Sequence, residues 1–299
     1  MEESTMKFER NVLVVFLLIA LSAPALMAES FNAMSLSGAT GLYTVPTGRI
    51  GWTNDTKIGL DIGYHTIIAT EHNYFNSSNL LNTDDDDVGL NHIAKIGAGF
   101  FKWAELFLAF DFQPSYNLPG DDNDSNTDLI TGFKIQLPAA ATDVALGGNF
   151  QALNLGNKEF SYQTFQLYAA VTYEGTFFTL PAETTVALGK TFNFNNDHDV
   201  SQKDFNFDFG MGFDLTIFPK AIPEFFHWII DYSNFSYSAN PWGADSEYRG
   251  TLNTGLRLNF GSIPALKKAK FTFDFLLTDA FDADYRSFSL GLAVGVPLM

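Results

Sequence analysis

The chain has 299 residues, 34 acidic against 17 basic side chains for a formal net charge of -17, and no cysteine. This balance excludes a general affinity for nucleic acid, which needs Lys and Arg in excess to neutralise phosphate. The absence of Cys excludes disulfides, thiolate metal centres and a thiol nucleophile. With 46% hydrophobic and 15% aromatic residues the chain is too apolar for disorder, yet it reads as strands with one apolar and one wet face.

The N-terminus reads as an export signal over residues 1–28. Lys7 and Arg10 precede an apolar run from Val12 to Leu21, and small residues follow up to Ala28, where cleavage is expected. The run is shorter than the ~20 residues that span a bilayer as a helix. No later segment approaches that length, so membrane residence must come from strands.

Residues 29–55 form a separate unit. They do not alternate, and the density of Gly, Thr and Pro between Ser35 and Ile50 predicts a compact irregular segment. Thr40, Gly41, Pro46 and Arg49 mark it as a plug-like element, lying inside a lumen or at its periplasmic mouth. A loose leader ahead of the first strand is the equal alternative. The stretch Thr40-Gly41-Leu42-Tyr43-Thr44-Val45-Pro46-Thr47 resembles the TGL-x-x-x-PT opening of the YjbH-like outer-membrane proteins. The turn Phe100-Phe101-Lys102-Trp103-Ala104-Glu105-Leu106 is similar to their short inter-strand turns. The resemblance implies a barrel linked to exopolysaccharide export.

From residue 56 to 299 the pattern has period two. Phe205, Phe207, Phe209, Met211, Phe213, Leu215 and Ile217 share one face, opposite Asp208, Gly210, Gly212 and Asp214. Equivalent alternation recurs near Ile58–Tyr64, Leu106–Phe112, Leu129–Ile135, Val144–Phe150, Phe226–Tyr232, Leu252–Phe260, Phe271–Leu277 and Phe288–Val296. Runs of ~10–13 residues exceed the ~5–6 usual in soluble domains and match a tilted bilayer-crossing strand. Strands are expected to start near residues 57, 89, 104, 127, 143, 162, 183, 204, 225, 248, 269 and 286. Short Pro-containing connections alternate with longer acidic ones at 71–88, 114–127, 194–204, 238–247 and 278–285. The expected fold is therefore all-β: a transmembrane antiparallel β-barrel of about twelve strands, with short periplasmic turns and longer acidic extracellular loops. Leu137-Pro138 to Phe150 and Leu180-Pro181 to Phe192 repeat almost residue for residue through Val-Ala-Leu-Gly. Lys190 alone breaks the apolar parity, which places it near the outer interface or beside a bulge.

Parity turns Asp61, His65, Asp111, Lys134, Asn149, Gln151, Asp208, Asp214, Asp231, Arg257 and Asp274 toward the lumen. Charges there tune solute selection, and the acid excess favours cations or neutral sugars. Two states of that lumen stay open: a narrow channel, or a closed interior in which Lys134 and Arg257 pair with carboxylates. An outer-membrane lipid-active enzyme is the weakest reading, because His65, His72, His92, His198 and His227 have no Ser at a defensible spacing. No catalytic residue is assigned. Asp122, Asp124, Asn126 and Asp128 alternate like the start of a calcium loop but lack its Gly and closing Glu, so neither metal nor cofactor is expected. The function expected is a narrow channel, or an export accessory, for small hydrophilic or saccharide-like solutes or polysaccharide. A non-conducting structural or adhesive barrel is the alternative. The expected partners are outer-membrane lipid and the barrel-assembly machinery, and the expected location is the bacterial outer membrane, multi-pass, after signal cleavage.

Overall fold

In the computed structural model, twelve antiparallel strands close into a barrel, each paired with its sequence neighbour and β1 with β12. The residues described are 33–52, 56–69, 89–113, 126–139, 141–153, 155, 161–194, 207–235, 250–263, 270–281 and 286–299. The expected signal at 1–28, His72, His198, Asp122, Asp124 and most of the acidic connections lie outside them.

The strands are β1 (Ile58–Ala69), β2 (Gly89–Phe100), β3 (Ala104–Gln113), β4 (Asn126–Leu137), β5 (Asp143–Leu153) and β6 (Tyr162–Phe177). They continue as β7 (Leu180–Asn193), β8 (Asp208–Ile217), β9 (Phe226–Ser233), β10 (Thr251–Asn259), β11 (Lys270–Thr278) and β12 (Ser287–Pro297). Closure removes every sheet edge, so all ladder hydrogen bonds are made within the wall. Most starts fall within a residue or two of those the alternation predicts. β7, β8 and β10 differ most: β7 already pairs at Pro181, opposite Thr176, whereas β8 and β10 start later than expected. Asn126 and Thr127 belong to β4 rather than to the preceding loop.

Burial alternates along the strands, as in β3, where Glu105, Phe107, Ala109, Asp111 and Gln113 are inward and Leu106, Leu108, Phe110 and Phe112 outward. The outward set across the barrel includes Ile62, Leu146, Leu167, Phe192, Phe275 and Leu292, all exposed. Apolar side chains around a closed wall suit lipid rather than water. At the short-turn end the exposed set becomes aromatic: Phe101, Trp103, Phe177, Phe178 and Phe218, the girdle expected at a membrane interface. Several turn residues there adopt positive φ without being Gly, including Phe101 (49°), Lys102 (55°) and Phe178 (54°). Left-handed turn residues match the right-handed twist of the strands they join.

Lys190 lies exposed on the outer face opposite Leu167, in regular register near the far end of β7. The pairing contains no bulge there. The Val-Ala-Leu-Gly repeat also finds a physical reason. Gly147 and Gly189 flank Tyr168 from β5 and β7 at one level of the wall. A Cβ on Gly147 would sit 2.3 Å from the Tyr168 ring, so the buried phenol needs glycine beside it.

Candidate functional site: the filled lumen

Residues 33–52 lie inside the barrel and are buried throughout. The segment folds on itself, with Ser35 N–H donating to Ala39 O at 2.8 Å and Leu36 N–H to Tyr43 O at 2.8 Å. It makes almost no regular ladder of its own, so its backbone groups need partners from the wall. Charged wall residues supply them. The Asp231 carboxylate accepts from the N–H groups of Tyr43 (2.9 Å), Thr44 (2.6 Å) and Val45 (3.3 Å). Glu105 accepts from Thr40 N–H at 2.8 Å and Gly51 N–H at 3.2 Å. Lys95 donates to Met34 O and Ser35 O, Lys134 to Thr40 O at 2.7 Å, and Arg257 to Gly41 O and Leu42 O. Lys270 reaches Gly51 O. The wall thus grips the main chain of this segment more than its side chains.

Three tiers run from the short-turn mouth inward. At the mouth, Arg49 is 1% exposed and meets three carboxylates: Asp143 at 2.7 Å, Glu174 and Glu183. Burial lowers the guanidinium pKa, but Glu183, Asp143 and Glu174 outweigh it and hold the group above its ordinary value. Nearby, His227 Nδ1 lies 2.6 Å from Asp214, and Trp52 donates to Asp61 at 2.6 Å beneath the Lys270 ammonium. Lys134 pairs with Glu105 at 2.9 Å. A cavity of about 10 Å³ lies between Met34, Thr40, Trp52, Asp61 and Glu105, with room for about one water.

The middle tier mixes charge with an apolar cluster. Arg257 holds Asp274 with two bonds of 2.8 and 2.9 Å, and His65 stands between Asp274 (3.4 Å) and Lys95 (2.8 Å). Around these, Leu36, Leu42, Tyr43 and Val45 of the segment pack with Ile67, Ile93, Ile130, Tyr168, Ile229 and Leu276 of the wall. Burial pushes the Tyr43 phenol well above its ordinary range. The far tier is an amide and carboxylate network. Gln151 donates to Asn149 (2.8 Å), Asn149 to Gln166 (2.9 Å), and Gln166 to Asp208 (3.0 Å), which also accepts from Thr191. Asp111 accepts from Asn91 of the adjacent β2 and from Gln113 of its own strand, and Asp128 is likewise buried.

The eleven residues that parity turns inward therefore sit in separate tiers rather than at one point. Thr40 and Gly41 lie where Lys134, Glu105 and Arg257 grip the segment. Pro46 bridges back to Gly41, and Arg49 reaches the mouth. Six other charged wall residues do as much as those eleven: Lys95, Glu105, Asp143, Glu174, Glu183 and Lys270. Parity alone marks Glu105, which shares a face with Asp111. Lys95 is masked by its strand, because Ile93 faces inward while His92 faces out and bonds Tyr64.

Charge is unevenly spread around the wall. The inward faces of β10–β12 and β1–β4 carry Lys95, Lys134, Arg257 and Lys270 among carboxylates. The inward faces of β5–β9 carry Asp143, Glu174, Glu183, Asp208, Asp214 and Asp231, and no Lys or Arg. Arg49, the one charged residue of segment 33–52, goes to that acidic side. Among the described residues no cluster of His, Asp and Glu is arranged to hold a metal ion.

No family model matches the chain, and no curated protein does. Among solved structures it is similar to a KdgM porin (7% identity, 80% of this chain and 99% of that one, TM-score 0.45). A COG4313 outer-membrane channel from Pseudomonas putida F1 gives 13% identity, 91% and 99% coverage and a TM-score of 0.44. OprD of Pseudomonas aeruginosa gives 14% identity, 81% and 94% coverage and a TM-score of 0.31. At such identities and scores these likenesses carry no functional weight, and the barrel stands on its own strand pairing.

Proposed function

We propose that this protein is an outer-membrane channel for small hydrophilic solutes, closed here by its own N-terminal segment. One observation carries the reading: a lipid-facing wall encloses an interior rich in charge and amide groups, and residues 33–52 fill it from the short-turn mouth to the level of Ser233. A barrel needing only to be filled would be built more cheaply with apolar side chains, since buried charges are costly to desolvate. The Asn149, Gln151, Gln166 and Asp208 network offers alternating donors and acceptors, which suits hydroxyl-rich, saccharide-like solutes. Liposome swelling with sugars of increasing size tests this: uptake of mono- and disaccharides is expected. A folded barrel that admits no solute, even with the segment displaced, overturns it.

The apolar cluster around Tyr43 favours a second reading, a permanently filled structural barrel. The YjbH-like assignment, with a role in polysaccharide export, is part of the proposal and rests on the Thr40–Thr47 loop. Export through a signal cleaved after Ala28 and insertion by barrel-assembly machinery complete it, and the N-terminal mass of the membrane-extracted protein tests the cleavage.

A further inference from the structure

Segment 33–52 is held by two kinds of contact. Its deeper part packs Leu36, Leu42, Tyr43 and Val45 against apolar wall residues. At the mouth two of its side chains are held: Trp52 by Asp61 and Lys270, and Arg49 buried among Asp143, Glu174 and Glu183. Those carboxylates are 34%, 23% and 19% exposed, so water already reaches them and can replace the guanidinium at modest cost. The deep contacts have no such substitute. The Arg49 contact is therefore the one that breaks first, and what it leaves is specific. Strands β5–β9 carry no inward Lys or Arg, and their inward His227 is taken by Asp214, so removing Arg49 bares Asp143, Glu174 and Glu183.

We propose that Arg49 is a latch: it closes the barrel by serving as the built-in counter-cation of the β5–β9 wall, and its release opens a cation-selective path along that wall. The proposal rests on the channel reading above. Closure is then an ion pair within the chain, and the open lumen selects the charge that Arg49 itself carries. Anions meet the Asp143, Glu174 and Glu183 carboxylates that Arg49 neutralised, whereas cations find the site that the guanidinium left.

Single-channel recording on the refolded full-length protein in a planar bilayer, under a KCl gradient, tests this. Wild type is expected to be closed for most of the record. Arg49→Gln should raise the open time at least tenfold, with a reversal potential on the cation side. The absence of native cysteine allows a lock: Thr44 Oγ1 and Ser233 Oγ lie 2.9 Å apart. Adding Thr44→Cys and Ser233→Cys to Arg49→Gln should silence the currents when oxidised and restore them on reduction. Gly48→Val displaces the segment while keeping the Arg49 guanidinium, because a Cβ there would sit 2.1 Å from Asp143 O. If Gly48→Val conducts and Arg49→Gln behaves as wild type, the latch is overturned and the channel stands. If both are silent while heat-modifiable migration shows folded barrels, the channel reading fails and the latch with it. Anion-selective currents, or currents that survive the oxidised lock, also overturn the latch.

Discussion

The two sides of the lumen solve the same problem in opposite ways. The side formed by β10–β12 and β1–β4 supplies wall cations to three of its carboxylates, Arg257 to Asp274, Lys134 to Glu105 and Lys270 to Asp61. The side formed by β5–β9 leaves three carboxylates at its mouth for Arg49 of the inserted segment. A wall that carries its own counter-charges is complete when the barrel closes. A wall that borrows one is complete only when the segment is seated, so electrostatics couples its state to the segment's position.

That contrast can be broken most severely on the self-neutralised side. Asp274→Asn leaves the guanidinium of Arg257, 1% exposed, without its carboxylate. A loss of about 3–5 kcal/mol is expected from breaking a fully buried pair, read by denaturant unfolding of the protein in lipid vesicles. A loss below 1 kcal/mol would mean that water screens this pair, and the two sides would then be alike. A steric test comes next. Gly147→Val forces a Cβ into the Tyr168 ring and should cost about 1–3 kcal/mol by overpacking. Combining it with Tyr168→Ala should recover part of that loss in a double-mutant cycle; strict additivity would show that the two residues do not meet. The smallest effect belongs to the borrowed contact. Asp143→Asn removes a carboxylate that is 34% exposed while Glu174 and Glu183 still hold Arg49. Less than about 1 kcal/mol is expected, and a loss as large as that of Asp274→Asn would erase the distinction drawn here.

The barrel was legible in the sequence because its cause is local. Each strand must turn alternate side chains toward lipid, and Leu106, Leu108, Phe110 and Phe112 record that directly in period two. The inward face leaves a weaker record. It holds Ile93, Ile130 and Ile229 as well as Asp111 and Asp274, since part of it packs against the inserted segment rather than facing water. Hydrophobic alternation therefore fails in β2, where Lys95 shares the inward face with Ile93.

What the sequence determined by itself is the fold class, the strand count and the alternation that sends side chains such as Asp111 and Asp274 inward. Period and spacing encode all of these within a few residues of chain. Only the tertiary structure decided that residues 33–52 sit in the lumen, that charged wall side chains grip their backbone, and that Arg49 meets Glu174 and Glu183 from strands more than a hundred residues away. Such contacts depend on which strands closure brings to the same level and side of the barrel. That relation is set by register and strand order around the whole ring, and no local pattern carries it.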